Sequence, residues 1–338
     1  MKTALALGVG VLPVFLFLGA LVLLDSYKLI PLRAILVAVA AGAAAALASY
    51  EITTSLQPLL ELDMSRYSTF VAPVLEEALK ASYLVWLLRR NKVGFVVDAA
   101  TYGFAIGTGF AFVENIYYLQ VHPNPTIWTW IVRGFGTALM HGGTTAIFAM
   151  ISRTLQNRAP VPRLSHLLPG LAAAALLHSL YNRFLVAPLL ATALIVLVFP
   201  YIVAFLFQKS ERETRGWLGT GFDTDQELLR VMRAGQVADT PVGIYLKGLR
   251  TSYQPEVIVD MMCLLRLRAE LGIRAKGMLL MREAGFEAEP DPSLKPKLEE
   301  VRYLEKNIGR TGMRSLKPFM HTSTQDLWQL NLLDGKQR

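Results

Sequence analysis

Few residues in this 338-residue sequence have chemistry to offer inside its apolar stretches, and they come in a fixed order. Glu76-Glu77-Ala-Leu-Lys80 is first, followed by Phe110-Ala-Phe-Val-Glu114-Asn115, then Arg133 and the run Leu-Met-His141-Gly-Gly-Thr-Thr, then His178-Ser-Leu-Tyr-Asn182. An ionisable side chain deep in an apolar helix costs about 2.5–3.5 kcal/mol on the insertion scale, so such residues usually serve a function. Adjacent carboxylates on a helix point about 100° apart, which lets one face a ligand while the other turns to a neighbour. Lys80 follows Glu76 by four residues and Glu77 by three, on the same side as both. His178 and Asn182 share a face, about 6 Å apart along the axis. Carboxylates and imidazoles together bind a divalent metal and activate water, and two histidines with one carboxylate make a catalytic zinc set with one position open. A further carboxylate would act as general base, and Asn182 would polarise a scissile carbonyl or stabilise an oxyanion.

Each residue also has a plainer reading. A Glu–Lys pair can simply ease insertion of its helix, although that leaves the second carboxylate unexplained. Glu114 can snorkel to the nearer surface. A lone histidine in a helix bundle is commonly a hydrogen-bonded packing residue, and Gly103, Gly107, Gly109, Gly134, Gly136, Gly142 and Gly143 serve close helix approach.

The elements that must hold these residues are membrane helices. The chain is 53% hydrophobic and 18% charged, with a net charge of +8. Only 13 Lys+Arg and 8 Asp+Glu precede position 208, against 21 and 18 after it. That asymmetry excludes a single soluble domain and a disordered chain, and the spread of positive charge, with no basic stripe, weighs against a nucleic-acid binder. The lone Cys263 excludes a disulfide scaffold. About 20 apolar residues span a bilayer, and seven stretches qualify: 4–24, 33–50, 67–88, 94–119, 126–152, 165–184 and 187–207. The expected fold class is therefore all-α, a polytopic membrane protein of about seven transmembrane helices (1–207, core motifs 67–185) with a soluble helical tail (208–338).

Loop cations set the expected orientation. Lys28 and Arg33, then Arg89, Arg90 and Lys92, then Arg153, Arg158 and Arg163, then Lys209, Arg212 and Arg215 alternate with loops that hold little positive charge. The N-terminus is expected outside a cell (inner) membrane and the tail in the cytoplasm. Glu76, Glu77, Glu114, His141 and His178 then converge from four helices in the outer half of the bilayer. In the tail, Leu228, Leu229, Val231 and Met232, and later Val257, Ile258, Met261, Met262 and Leu265, recur at helical spacing. Asp-Thr-Asp at 223–225 is expected to cap a helix start, and Glu289-Pro290-Asp291-Pro292 to separate two helices. A helical module that tunes activity or recruits a protein partner is the expected role.

Taken in order, Glu76-Glu77-x-x-Lys80, Gly-Phe110-x-x-x-Glu114-Asn115, the helix with His141, and His178-x-x-x-Asn182 resemble the motifs of PrsW-type intramembrane proteases, in the clan of the type II CAAX prenyl endopeptidases. The resemblance covers residues 67–185. It implies a peptidase that cleaves a membrane-anchored protein, such as an anti-sigma factor, on the outer side of the bilayer. Carried onto this chain, it implies Glu76 or Glu77 as the base that activates water, with Lys80 holding the pair. It implies Glu114, His141 and His178 as ligands of a Zn2+ ion. The CAAX enzymes differ at the second motif, with histidine where this chain has Glu114.

Two other classes compete. A non-catalytic scaffold of the same clan would have no need to keep five buried polar groups. A metal- or proton-coupled transporter would use buried carboxylates and histidines as a path, but no paired repeat or broken-helix pattern accompanies them.

Overall fold

Long apolar runs without strand-type alternation, started by proline or a capping side chain, give a chain built of helices. The structure is a computed structural model that describes residues 2–25, 29–121, 126–158, 163–286, 291–320 and 333. Among these residues there is no strand, and ten helices have eight residues or more. They are α1 (Lys2–Leu24), α2 (Leu32–Leu59), α3 (Ala72–Arg89), α4 (Val96–Val121), α5 (Ala138–Arg158), α6 (Leu168–Asn182), α7 (Pro188–Arg233), α8 (Pro241–Gly248), α9 (Pro255–Glu283) and α10 (Leu294–Leu316). The chain divides into two compact units, Met1–Ser210 and Glu211–Arg338.

In the first unit α4 is the central helix, with every residue from Val97 to Ala111 buried. A helix this apolar on all sides, rich in Gly and Ala, has no polar face to offer water and packs on all sides. α2 and α5 pack directly on α4, while α3 packs on α2, α5 and α6. Two glycines of α4 set these distances. A Cβ on Gly109 would lie 1.8 Å from the Val39 carbonyl oxygen of α2, and one on Gly107 would lie 2.3 Å from the His141 carbonyl oxygen of α5. Asp98 fixes the start of α4 by accepting from the Gly94 and Phe95 amides at 3.1 and 2.9 Å. π-helical segments, Tyr67–Val71 and Val132–Thr137, lead into α3 and α5; such wide turns concentrate at functional sites.

Among the described residues, four helical stretches are long and apolar enough to cross a membrane: Leu32–Leu59, Val96–Val121, Leu164–Asn182 and Pro188–Gly219. Gly8–Leu24 is a shorter apolar helix. The other two expected spans, on α3 and α5, miss that standard because of what they carry: α3 has Glu76, Glu77, Lys80 and Arg89 within 18 residues, and α5 is diluted by His141, Thr144, Thr145, Ser152 and Arg153. Leu194, Leu197, Val198, Tyr201, Ile202 and Phe205 of α7 are exposed in the first unit, as a helix facing lipid requires.

Two sequence expectations are corrected here. Asp-Thr-Asp at 223–225 does not begin a helix; α7 continues through it to Arg233, and Asp225 instead binds Lys276 at 2.6 Å within the second unit. Arg153 is not a loop cation; it is buried in α5 and donates to the Gly94 carbonyl at 2.5 Å. Lys28, and Glu289 and Pro290 of the expected break, lie outside the described residues, although α9 ends at Glu283 and α10 begins at Leu294 as a break there requires.

The second unit is helical. Ile258, Met261, Leu264, Leu265, Leu271 and Ala275 of α9 pack against Leu294, Leu298, Val301, Leu304 and Ile308 of α10. Both rows follow the three- and four-residue spacing of a helix stripe.

Candidate metal centre

Within the first unit, α3, α5 and α6 bring a carboxylate and two imidazoles together. Glu76, His141 and His178 each offer a ligand atom, and these atoms lie within 4.8 Å of one another. The His178 ring is fixed on both edges: Nδ1 is 2.9 Å from Glu77 Oε1, and Nε2 is 3.7 Å from Glu76 Oε2. Since Glu77 accepts only, Nδ1 carries the proton and the Nε2 lone pair faces Glu76. The His141 and His178 rings meet edge to face, 4.8 Å between centroids.

Glu77 is enclosed. Its side chain is 1% exposed and receives Lys80 Nζ at 2.5 Å and the Thr144 hydroxyl at 3.0 Å, with Thr145 at 3.4 Å. Lys80 is fully buried, lies 3.2 Å from His141 Nδ1, and sits 4.8 Å over the Phe110 ring. A buried charge is tolerable only when paired and hydrogen-bonded, and these contacts meet that condition for both ions.

Glu114 lies on the other side of His141. Its Oε2 is 2.9 Å from His141 Nε2, and its side chain is 37% exposed. Arg133, from the second π-helical segment, places Nη2 3.3 Å from Glu114 Oε1 and donates from Nε to Asn115 Oδ1 at 2.8 Å. Both ring nitrogens of His141 are therefore engaged, one by Lys80 and one by Glu114. An ion bound to this ring takes the place of one of those partners.

The family resemblance implies Glu114 as the ligand beside the two histidines and Glu76 or Glu77 as the base. The structure groups Glu76 with them and sets Glu114 between His141 and Arg133. The Asn182 amide donates to the Ser68 carbonyl at 2.9 Å, and Ser179 donates to the Thr69 carbonyl, so α6 is tied to the π-helical segment before α3. Thr144 and Thr145 went unmarked, although their positions three and four after His141 put them on its face.

Residues 30–207 match the family model described as PrsW family intramembrane metalloprotease. The match covers more than half of the chain. The chain belongs to the PrsW family. Comparison with curated proteins and with solved structures returns no match. PrsW is a family of intramembrane peptidases, and its description names a metal. The donor set fits one. Two imidazoles and a carboxylate suit a zinc ion, the 3.7 Å between His178 Nε2 and Glu76 Oε2 is near the ~3.3 Å kept by two ligands on a tetrahedral ion, and Glu77 supplies the carboxylate–histidine support that metal-binding imidazoles require. All of these residues fall inside the PrsW match; the second unit falls beyond it.

Proposed function

We propose that the chain is a zinc-dependent intramembrane endopeptidase that cleaves membrane-anchored proteins, with the ion held by Glu76, His141 and His178. The observation that carries this reading is the meeting of those three side chains from three helices inside a PrsW-family unit. When bound, the ion supplies a Lewis acid for the scissile carbonyl and lowers the pKa of water. Glu77 holds the His178 ring in one tautomer and orientation. Lys80 balances the charge of Glu77 and is covered by the Phe110 ring. Glu114 is the carboxylate left to move a proton: it is not enclosed as Glu77 is, it stands beside His141, and it takes a proton from the attacking water and gives it to the leaving amine.

The alternating loop cations support seven crossings of a cell (inner) membrane, with the N-terminus outside and the second unit as a soluble, cytoplasmic, partner-binding module. On that topology the cluster lies in the outer half of the bilayer and cleavage occurs on the outer side. An anti-sigma factor cut in regulated proteolysis is the substrate class the family resemblance suggests.

Elemental mass spectrometry of detergent-purified protein tests the site without knowledge of the substrate. Wild type should carry close to one zinc per chain, and His141→Ala and His178→Ala should lose it while eluting as folded protein. Metal-free wild type after zinc loading would overturn the reading. Cleavage is read from ectodomains shed by co-expressed single-pass membrane proteins, in wild type against His178→Ala.

A further inference from the structure

Arg133 is held on three sides, and at one of them the hydrogen bond is missing. Asn115 Oδ1 takes its Nε proton at 2.8 Å, the Tyr118 ring lies beneath its guanidinium at 4.1 Å, and Glu114 Oε1 is 3.3 Å from Nη2. Nη2 is nevertheless buried without a hydrogen-bond acceptor, its 3.3 Å approach to Glu114 being a charge contact only. Buried polar groups are almost always paired, so an orphan donor calls for a partner that arrives later. Asn115 is itself anchored by donating to the Gly10 carbonyl at 2.6 Å, so the guanidinium is preorganised and does not swing.

A single carboxylate, Glu114, separates Nη2 from His141. That span corresponds to about two residues of extended peptide at roughly 3.3–3.6 Å per residue. A peptide lying across the metal centre would carry a backbone carbonyl to the orphan donor. Building on the peptidase reading above, we infer that Arg133 is a substrate-binding residue whose Nη2 donates to a backbone carbonyl of the substrate within about two residues of the scissile bond. It contributes register: an extended chain caught there cannot slide along the site.

The test is inhibitor binding to zinc-loaded, detergent-purified full-length chain. Three probes are compared: acetohydroxamate, and two hydroxamates carrying a hydrophobic tripeptide on one side or the other of the chelating group. In Arg133→Leu, and in Arg133→Lys, which keeps the charge beside Glu114, at least one tripeptide probe should lose about tenfold to a hundredfold in affinity, with acetohydroxamate affinity and zinc content unchanged. Unchanged affinity for both tripeptide probes in both variants would overturn the inference. So would an equal loss for all three probes together with loss of zinc, since Arg133 would then act only through Glu114 and His141. Wild type that binds none of the probes would instead defeat the metallopeptidase reading, and the inference with it.

Discussion

His178 and Glu77 are joined through Nδ1 and Oε1 at 2.9 Å, and the same oxygen receives Lys80 at 2.5 Å. One carboxylate thus orients an imidazole and neutralises a buried ammonium. Glu77→Gln leaves Lys80 with no ionic partner in an interior where an uncompensated charge costs roughly 3–5 kcal/mol. Thermal unfolding in detergent should show a large drop in Tm for Glu77→Gln, and a substantial recovery in Glu77→Gln/Lys80→Met. A single variant as stable as wild type would mean that the pair is not buried as described.

Glu76 and Glu114 should separate by metal content. Glu76→Gln removes a proposed ligand and should lose both zinc and cleavage. Glu114→Gln should retain zinc while cleavage falls by about 10²–10⁴-fold, the usual range for a lost general base. Zinc retained in Glu76→Gln and lost in Glu114→Gln would reverse the two roles.

Chelation offers a check of a different kind. Treatment with 1,10-phenanthroline should abolish cleavage, and added zinc should restore it. Circular dichroism should change little throughout, because the helices are held by apolar packing around α4 and not by the ion. Collapse of helicity on chelation would give the metal a folding role.

Thr144 and Thr145 support the centre from behind through Glu77. Replacing both by valine removes the hydroxyl donors at similar volume and leaves Lys80 and His178 as the partners of Glu77. Zinc affinity, measured by competition with a fluorescent chelator, should fall by about 10–100-fold, as expected when outer hydrogen bonds to a ligand are lost. A shift below twofold would show that Glu77 is held well enough by Lys80 and His178 without the hydroxyls.

In the second unit, Asp225 and Lys276 are bonded at 2.6 Å with both side chains almost fully buried. Lys276→Met should strand Asp225 and destabilise that unit by about 3–5 kcal/mol. Hydrogen exchange on the full chain would read this as lost protection in α9, and Asp225→Leu/Lys276→Met should recover much of it.

The polar inventory of the site was readable in the sequence, because charges and imidazoles stand out against apolar stretches. Their pairing was not. Whether Glu76 or Glu114 meets the two histidines depends on how α3 and α4 are rotated, and α3 is phased by a π-helical turn at Tyr67–Val71 that leaves no mark in the spacing. Asn182 shares a face with His178 by spacing, yet the Ser68 carbonyl captures it, a contact between residues 114 positions apart. Asp98, near the end of an expected span and unmarked by any motif, is buried and caps α4. Asp-Thr-Asp at 223–225 reads as a cap by local chemistry, but a buried lysine 51 residues further on claims Asp225. The same polar residues that mark α3 and α5 as functional lower their apolar character, so among the described residues length and composition single out four candidate crossings.

The burial of α4 on every side from Val97 to Ala111 also bears on how this sequence can drift. In a saturation-mutagenesis map, α7 should accept almost any apolar exchange among Leu194, Leu197 and Phe205, whose side chains have only surroundings to displace. On α4 even Gly107→Ala has to push α5 away, and with it His141. The least variable helix of the unit is then expected to be one whose middle contributes no ligand, holding instead the spacing on which the ligands depend.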